Sequence, residues 1–381
     1  PSKKGNFGFL CIKGIINEKV EVMVKIHMMK AYEGDFIWLS YGDMEKEYHL
    51  LIDGGVKECR QRYADVIKTI SAKGESIEAI ILTHIDCDHI AGACEGIARV
   101  DEELLKRTVK KIVFNTSEKI QKEILVSRNS RKYGVKEGIE FWKLLKEKGI
   151  DDRIIERTIA GESINFANGA LLKIISPGEK QLAKLLNKWE KYEKKYVSIG
   201  YSPNLEQVKQ NLEDLMRTRM GTDGSVNNAS SIAFIFEYQD IKGAFLGDAK
   251  PSVCIEGMKK FDIKNAYPVD FIKLSHHGSI SNTNLKLLKK LPTVNYLLST
   301  NGHEKIVPSK VVIAKLLRNC QEKNLSEIIL YCNYDWWESQ YHNKYFTQKD
   351  RQLYIDTDIL KVNLLGEEGT IVKDGLILYG K

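Results

Sequence analysis

The sequence predicts an α/β protein whose strands end in polar, metal-capable clusters and pass the chain directly into helices. Three observations carry that prediction. Apolar runs of strand length at Ile77 to Leu82, Ile241 to Leu246 and Phe271 to Leu274 are each followed closely by helical patterning. Five of the eight histidines (His84, His89, His276, His277, His303) gather at strand ends of this kind, with Asp86, Asp88 and Asp248. A chain of 381 residues, 43% hydrophobic and 29% charged, is ordinary globular material, enough for one large domain with insertions or for two domains.

In chain order, Val20 to Met29, Phe36 to Tyr41 and Glu47 to Ile52 are rich in aromatic and β-branched residues and read as an antiparallel meander. The third strand ends in Asp53-Gly54-Gly55, where glycine lets the backbone turn tightly beside whatever Asp53 touches. Glu58 to Ala72 is helical, Ile77 to Leu82 a strand, Ile90 to Val100 a helix and Lys111 to Phe114 a short strand. Between Asn115 and about Gly224 the pattern changes to helices at Gly138 to Lys148, Glu179 to Lys195 and Leu205 to Arg217, with strand-like pieces at Arg153 to Ile159 and Ala170 to Ile175. This stretch reads as a mainly helical insertion. Strands follow at Ser231 to Tyr238, Ile241 to Leu246, Phe271 to Leu274, Val294 to Ser299 and Ile328 to Tyr331, interleaved with helices from Pro251, near Thr283 to Leu291 and at Pro308 to Cys320. Past Cys332, the patch Tyr334-Asp335-Trp336-Trp337 and short strands closing in a hairpin at Lys373-Asp374-Gly375 read as a β appendage, residues 333–381. The two tryptophans either pack in a core or stack bases.

The formal net charge is +7, and its location matters more than its size. Residues 116–220 hold 21 Lys and Arg against 15 Asp and Glu, so 21 − 15 = +6, nearly the whole excess. The runs Arg128-Asn129-Ser130-Arg131-Lys132 and Lys191 to Tyr196 either track a phosphate backbone or form solvated helix faces. No run reaches membrane-spanning length and the N-terminal residues lack a signal-peptide pattern, so a cytoplasmic location is expected. Seven scattered cysteines without a CxxC pair indicate neither a disulfide framework nor a thiolate zinc site.

The chemistry centres on Thr83-His84-Ile85-Asp86-Cys87-Asp88-His89. His84 and Asp86 are two apart at a strand end and can point the same way, while Asp88 and His89 are adjacent and must diverge. Two neighbouring ion sites, each taking part of its shell from this loop, account for all four side chains. Asp248, after a strand and a glycine, is the residue expected to bridge them.

The loop resembles the HxHxDH signature of the metallo-β-lactamase fold, in the HxDxDH form of the hydrolase domain of the competence DNA-channel protein ComEC, with Asp86 where most members have His. The likeness spans about Tyr48 to Leu317, and Ser275-His276-His277-Gly278-Ser279 is especially close to that branch. It implies an αββα sandwich: residues 1–332 as a hydrolase domain with a basic insertion at about 116–224. It implies Asp53 as an aspartate supporting the metal loop from behind and Gly247-Asp248 as the motif of the shared ligand. The expected ligand sets are His84, Asp86 and Asp248 for one ion, and Asp88, His89, Asp248 and His276 for the other, with His277 either binding metal or supporting a ligand. The usual third-motif histidine is missing, and Asn227 and Asn228 approach the site in its place as supporting residues. That leaves the first ion with fewer and harder ligands, which points to manganese or magnesium over a tight zinc site, zinc remaining an option. Asp88, His277 and His303 are the expected catalytic residues, His303 contacting phosphate or protonating a leaving oxygen.

The function expected from these residues is hydrolysis of nucleic acid, DNA foremost, by a hydroxide held between two cations. A small phosphodiester such as a cyclic nucleotide is the second reading, and an inactive scaffold for a partner protein the third.

Overall fold

A computed structural model describes residues 23–115, 135–190, 209–302, 307–338 and 345–381. Among the described residues, sixteen strands form two eight-stranded mixed sheets. The first runs in the order β15-β16-β1-β2-β3-β4-β5-β6 and the second β14-β13-β12-β11-β10-β9-β8-β7. The strands are β1 (Met23–Met28), β2 (Ile37–Gly42), β3 (Glu47–Ile52), β4 (Ser76–Ile81), β5 (Ile112–Val113), β6 (Ile154–Ile155), β7 (Ser163–Asn165) and β8 (Leu171–Ser176). They continue with β9 (Ala233–Tyr238), β10 (Ile241–Phe245), β11 (Phe271–Lys273), β12 (Asn295–Leu298), β13 (Ile328–Cys332), β14 (Leu360–Leu364), β15 (Thr370–Lys373) and β16 (Leu376–Gly380). The main helices are α1 (Arg60–Ala72), α2 (Cys87–Ala98), α3 (Glu102–Thr108), α4 (Val135–Glu147), α5 (Glu179–Glu190), α6 (Pro251–Lys259), α7 (Leu285–Lys290) and α8 (Lys310–Glu322).

The layering follows from the period of two along the strands. On β9, Phe234, Phe236 and Tyr238 face the other sheet, while Ala233 and Ile235 face the helices outside. On β4, Ala79 and Ile81 point between the sheets, and Ile80 and Leu82 pack against α1 and α2. Three apolar layers result, one between the sheets and one under each outer helical layer, which is an αββα sandwich. Each fully buried Ile, Leu or Phe in them contributes about 1.5–3 kcal/mol relative to an exposed position.

Strands β3 to β6 are mutually parallel, as are β10 to β14. Their carboxyl ends therefore collect the loops after β3, β4, β10, β11 and β12 along one rim, where open α/β sheets place their ligands.

Two expectations are corrected. Residues 333–381 are no appendage: β14 adds to the edge of the second sheet beside β13, and β16 pairs with β1 in the first. Leu376 and Leu378 complete the layer between the sheets, so the segment has core to bury. Trp336 is fully buried against Tyr345, with ring centroids 4.8 Å apart, which removes it as a base-stacking platform. The buried pair Lys310–Asp350, at 2.7 Å, fastens the segment to α8, and Asp350 also accepts from the Leu212 amide at 2.6 Å. The expected insertion is likewise part frame, because β6 extends the first sheet and β7 and β8 the second. Among the described residues, the helix expected over 205–217 is a four-residue turn, Leu212–Leu215. The basic runs at 128–132 and 191–196 lie outside the described residues. Among the described residues no helix is long and apolar enough to cross a membrane.

Candidate metal centre

The loop after β4 is clamped from three sides. From the end of β3, Asp53 accepts the Thr83 amide at 2.7 Å through Oδ1 and the Thr83 hydroxyl at 2.7 Å through Oδ2. Asp53 Oδ2 also lies 2.8 Å from His89 Nδ1; a carboxylate oxygen only accepts, so Nδ1 carries the proton and Nε2 is free to face the rim. From the turn between β1 and β2, the Asp35 amide donates to the Asp88 carbonyl at 3.3 Å. Gly34 is required there, since a Cβ would sit 1.8 Å from that carbonyl oxygen. From the second sheet, the Ile232 amide donates to the Thr83 carbonyl at 2.8 Å. Asp86, in extended conformation, ends the strand-side loop, and α2 opens at Cys87.

Asp248 enters from the opposite sheet. Gly247 turns after β10 at φ +48°, and the Asp248 amide donates to Ser231 Oγ at 3.0 Å. The carboxylate is buried and its two oxygens face different ways. Oδ2 lies 3.5 Å from His84 Nε2 and 3.6 Å from His276 Nε2, whereas Oδ1 lies 3.4 Å from His89 Nε2. Asp86 Oδ2 is 3.6 Å from His84 Nε2; Asp88 Oδ2 is 3.8 Å from His89 Nε2 and 3.7 Å from His277 Nε2. Eight contributions thus divide into an outer group (His84, Asp86, His276, Asp248 Oδ2) and an inner group (Asp88, His89, His277, Asp248 Oδ1).

This division changes the expected sets in one respect. His276 belongs with His84 and Asp86 rather than with Asp88 and His89, and His277 stands in the inner group. The cause is backbone geometry: both histidines are left-handed, at φ +49° and +54°, so the turn after β11 throws adjacent rings apart, 73° between planes. With His276 on this side, the outer group is not short of imidazole, against the fewer and harder donors expected. Each group holds two imidazole nitrogens and two carboxylate oxygens.

The supporting contacts are in place around them. Asn227 Nδ2 donates to Asp86 Oδ1, and Asn228 Nδ2 lies 3.3 Å from His276 Nδ1. His276 Nδ1 is also 3.0 Å from Asn282 Oδ1, and His277 Nδ1 donates to the Ser299 carbonyl at 2.8 Å. Asp223 Oδ2 accepts from both Asn228 Nδ2 (2.8 Å) and Asn282 Nδ2 (2.9 Å), fixing the amides that hold His276. Asn227→Ala is expected to weaken the outer ion about 10–100-fold, the usual effect of losing a ligand's hydrogen-bond partner, while leaving the inner ion unchanged. Isothermal titration of the metal-stripped protein with Zn²⁺ checks this.

Sequence reading missed Asp35, Lys273, Asp223 and Asn282. Lys273 carried a legible signal: a lysine inside the apolar strand Phe271 to Leu274 needs a buried carboxylate partner. Asp35 is that partner at 2.6 Å, both side chains being almost wholly buried. Asp223 and Asn282 carry no signal in a single sequence. His303 lies outside the described residues.

Electrostatics bind the cluster together. Burial works against ionising Asp88, but His89 and His277 hold its carboxyl well below the usual range. Burial likewise opposes charge on His89, and Asp248, Asp53 and Asp88 overcome it, raising that ring well above its ordinary value. Asp248 is kept low against burial by His276, His89 and His84.

The donor set fits a pair of cations. His84 Nε2, His89 Nε2, His277 Nε2, Asp248 Oδ1 and Asp35 Oδ1 are buried and have no hydrogen-bond partner among the described residues. Their separations from facing donors, 3.4–3.8 Å, exceed hydrogen-bond length and lie at or slightly beyond the edge of a tetrahedron, about 3.3–3.6 Å for donors ~2.0–2.2 Å from one ion. Orphaned buried polar atoms are rare and costly, and four of these five belong to residues of one cluster, Asp35, His89, Asp248 and His277. A second acidic cluster, Glu47, His49 and Glu75, has no such character. There, Lys25 pairs with Glu47 at 2.6 Å and His49 Nε2 meets Glu75 at 2.9 Å.

Residues 43–154 match the metallo-beta-lactamase superfamily, less than half of the chain. No curated protein matches. Among solved structures, CmlA, a diiron β-hydroxylase from Streptomyces venezuelae, is 12% identical with TM-score 0.39, over 80% of this chain and 51% of its own. The chain thus spans about half the length of CmlA. A putative metal-dependent hydrolase from Parabacteroides distasonis is 12% identical with TM-score 0.34, over 79% and 90% of the two chains. The metallo-beta-lactamase fold protein YhfI from Bacillus subtilis is 8% identical with TM-score 0.35, over 82% and 95%.

Proposed function

We propose that this chain, with its superfamily match at residues 43–154 and two ion-binding groups on one rim, is a metal-dependent phosphodiesterase that hydrolyses nucleic acid. The observation that supports it most is the carboxylate of Asp248, with one oxygen turned to each group. When bound, two divalent cations would supply Lewis-acid chemistry, activating water and neutralising charge that grows on a reacting phosphoryl group. His84, Asp86 and His276 would hold the outer ion and Asp88, His89 and His277 the inner, with Asp248 common to both. Two imidazoles and two carboxylates for each favour zinc, manganese or iron over magnesium, which prefers oxygen and water.

An anionic substrate is supported by the net charge of +7 and by Lys250, half-buried two residues after Asp248. Burial lowers the Lys250 pKa, against the pull of Asp223, so a phosphate would be a better partner for it than water. His276 beside His84 and Asp86 gives the outer group two imidazoles and two carboxylates, which supports an ion-binding hydrolase over an inactive scaffold.

The test is hydrolysis of labelled single-stranded DNA, duplex DNA, RNA and a cyclic dinucleotide in Mn²⁺ or Zn²⁺. Cleavage of a polymer that disappears in Asp88→Asn supports the proposal. Cleavage of the cyclic dinucleotide alone moves the substrate to small phosphodiesters, and a protein inert toward all four in any divalent ion is no phosphodiesterase.

A further inference from the structure

We propose that Asp35 is a further ligand of the inner ion, on the aspartate side of a buried Asp35–Lys273 pair. The inference rests on the metal-centre reading above and adds to it a residue from outside the strand-end motifs. Asp35 Oδ2 accepts from Lys273 Nζ at 2.6 Å, while Oδ1 is buried without a partner. Ligand atoms of Asp35, His89, Asp248 and His277 all lie within 4.8 Å of one another, and Asp88, outside that cluster, reaches it through His89 at 3.8 Å and His277 at 3.7 Å. The nearest ring nitrogen, His277 Nδ1 at 3.6 Å, already donates to Ser299 and leaves Oδ1 unsatisfied. A cation held by His89, His277, Asp88 and Asp248 is the missing partner for that oxygen.

The backbone makes the reach short. Asp35 donates its amide to the Asp88 carbonyl and accepts the Gly55 amide at 2.7 Å, so its carboxylate stands on the same rigid seam as the inner donors. Charge explains the lysine. Lys273 offsets the charge that Asp35 adds to the carboxylates of Asp53, Asp86, Asp88 and Asp248. Lys273 therefore lets the site carry a fifth carboxylate without surplus charge. The groups also differ in exposure: in the inner one His89, His277 and Asp35 side chains are at most 4% exposed and Asp88 25%, and in the outer one His84 is 1% exposed but Asp86 and His276 are 35% and 32%. A more buried group with an added carboxylate beside a more open one predicts unequal affinity, the inner ion tight and the outer exchangeable.

The experiment is titration of the metal-stripped chain with Co²⁺, followed by calorimetry and visible absorption, for wild type, Asp35→Asn and Lys273→Met. Wild type is expected to show two unequal events, the tighter with the weak absorption of five-coordinate cobalt. Asp35→Asn should weaken that event about 10–100-fold and intensify its absorption, with the weaker event unchanged. Lys273→Met breaks the same ion pair yet should keep the tight event and its spectrum. If both variants behave alike, or Asp35→Asn keeps the tight event, Asp35 is no ligand. Loss of both events in Asp35→Asn also overturns the proposal, since it reports a damaged fold. Failure of wild type to bind any Co²⁺ instead refutes the metal-centre reading itself.

Discussion

Asp248→Asn is expected to lower metal content from two ions per chain to one or none and to reduce phosphodiester turnover on the order of 10³-fold or more. The reason is position. Every other donor serves one group, whereas Asp248 presents Oδ2 to His84 and His276 and Oδ1 to His89. The amide keeps the shape and the Ser231 contact to the backbone, so folding is preserved, but it replaces one anionic oxygen by an NH₂ that cannot ligate. Metal-ion stabilisation of a phosphoryl transition state is worth several kcal/mol, and each 1.36 kcal/mol is about tenfold in rate, which sets the magnitude. Elemental analysis together with turnover under saturating metal checks it. Two ions retained with turnover within tenfold of wild type would remove Asp248 from the shared position.

His84, Asp86, Asp88, His89, Asp248, His276 and His277 announced themselves because each stands where a strand stops, and parallel strands carry their stops to one edge. The division into groups was not legible. It depends on φ at His276 and His277, and a non-glycine residue in the left-handed region has no reliable sequence mark. Asp35 was hidden for another reason: it stands in the turn before a strand rather than after one, and antiparallel pairing of β1 with β2 returns that turn to the rim. Residues 333–381 misled because short amphipathic strands look peripheral in sequence, and only pairing with β13 and β1 shows them closing both sheets.

Asp53→Ala is expected to cost about 3–5 kcal/mol of folding stability in the metal-stripped protein, the range for removing one partner of a buried charged network. Asp53 is 1% exposed and receives the Thr83 amide, the Thr83 hydroxyl and His89 Nδ1, so the substitution leaves three donors without acceptors. Its φ of +53° adds strain, because alanine tolerates the left-handed region less well than aspartate. Denaturant unfolding in the presence of a chelator measures the loss, and a change below about 1 kcal/mol would mean the loop after β4 is held mainly by the contacts of Asp35 and Ile232. Asp53→Asn separates folding from metal binding. Its carbonyl oxygen can still accept the Thr83 amide, so most of the stability should return. Its NH₂ can only donate toward His89 Nδ1, which then has to accept, placing the ring proton on Nε2 and blocking the nitrogen that faces Asp248. Asp53→Asn should therefore fold nearly as well as wild type and bind the inner ion about 10–100-fold more weakly. Equal inner-ion affinity in the two proteins would show that the Asp53 carboxylate does not set the tautomer of His89.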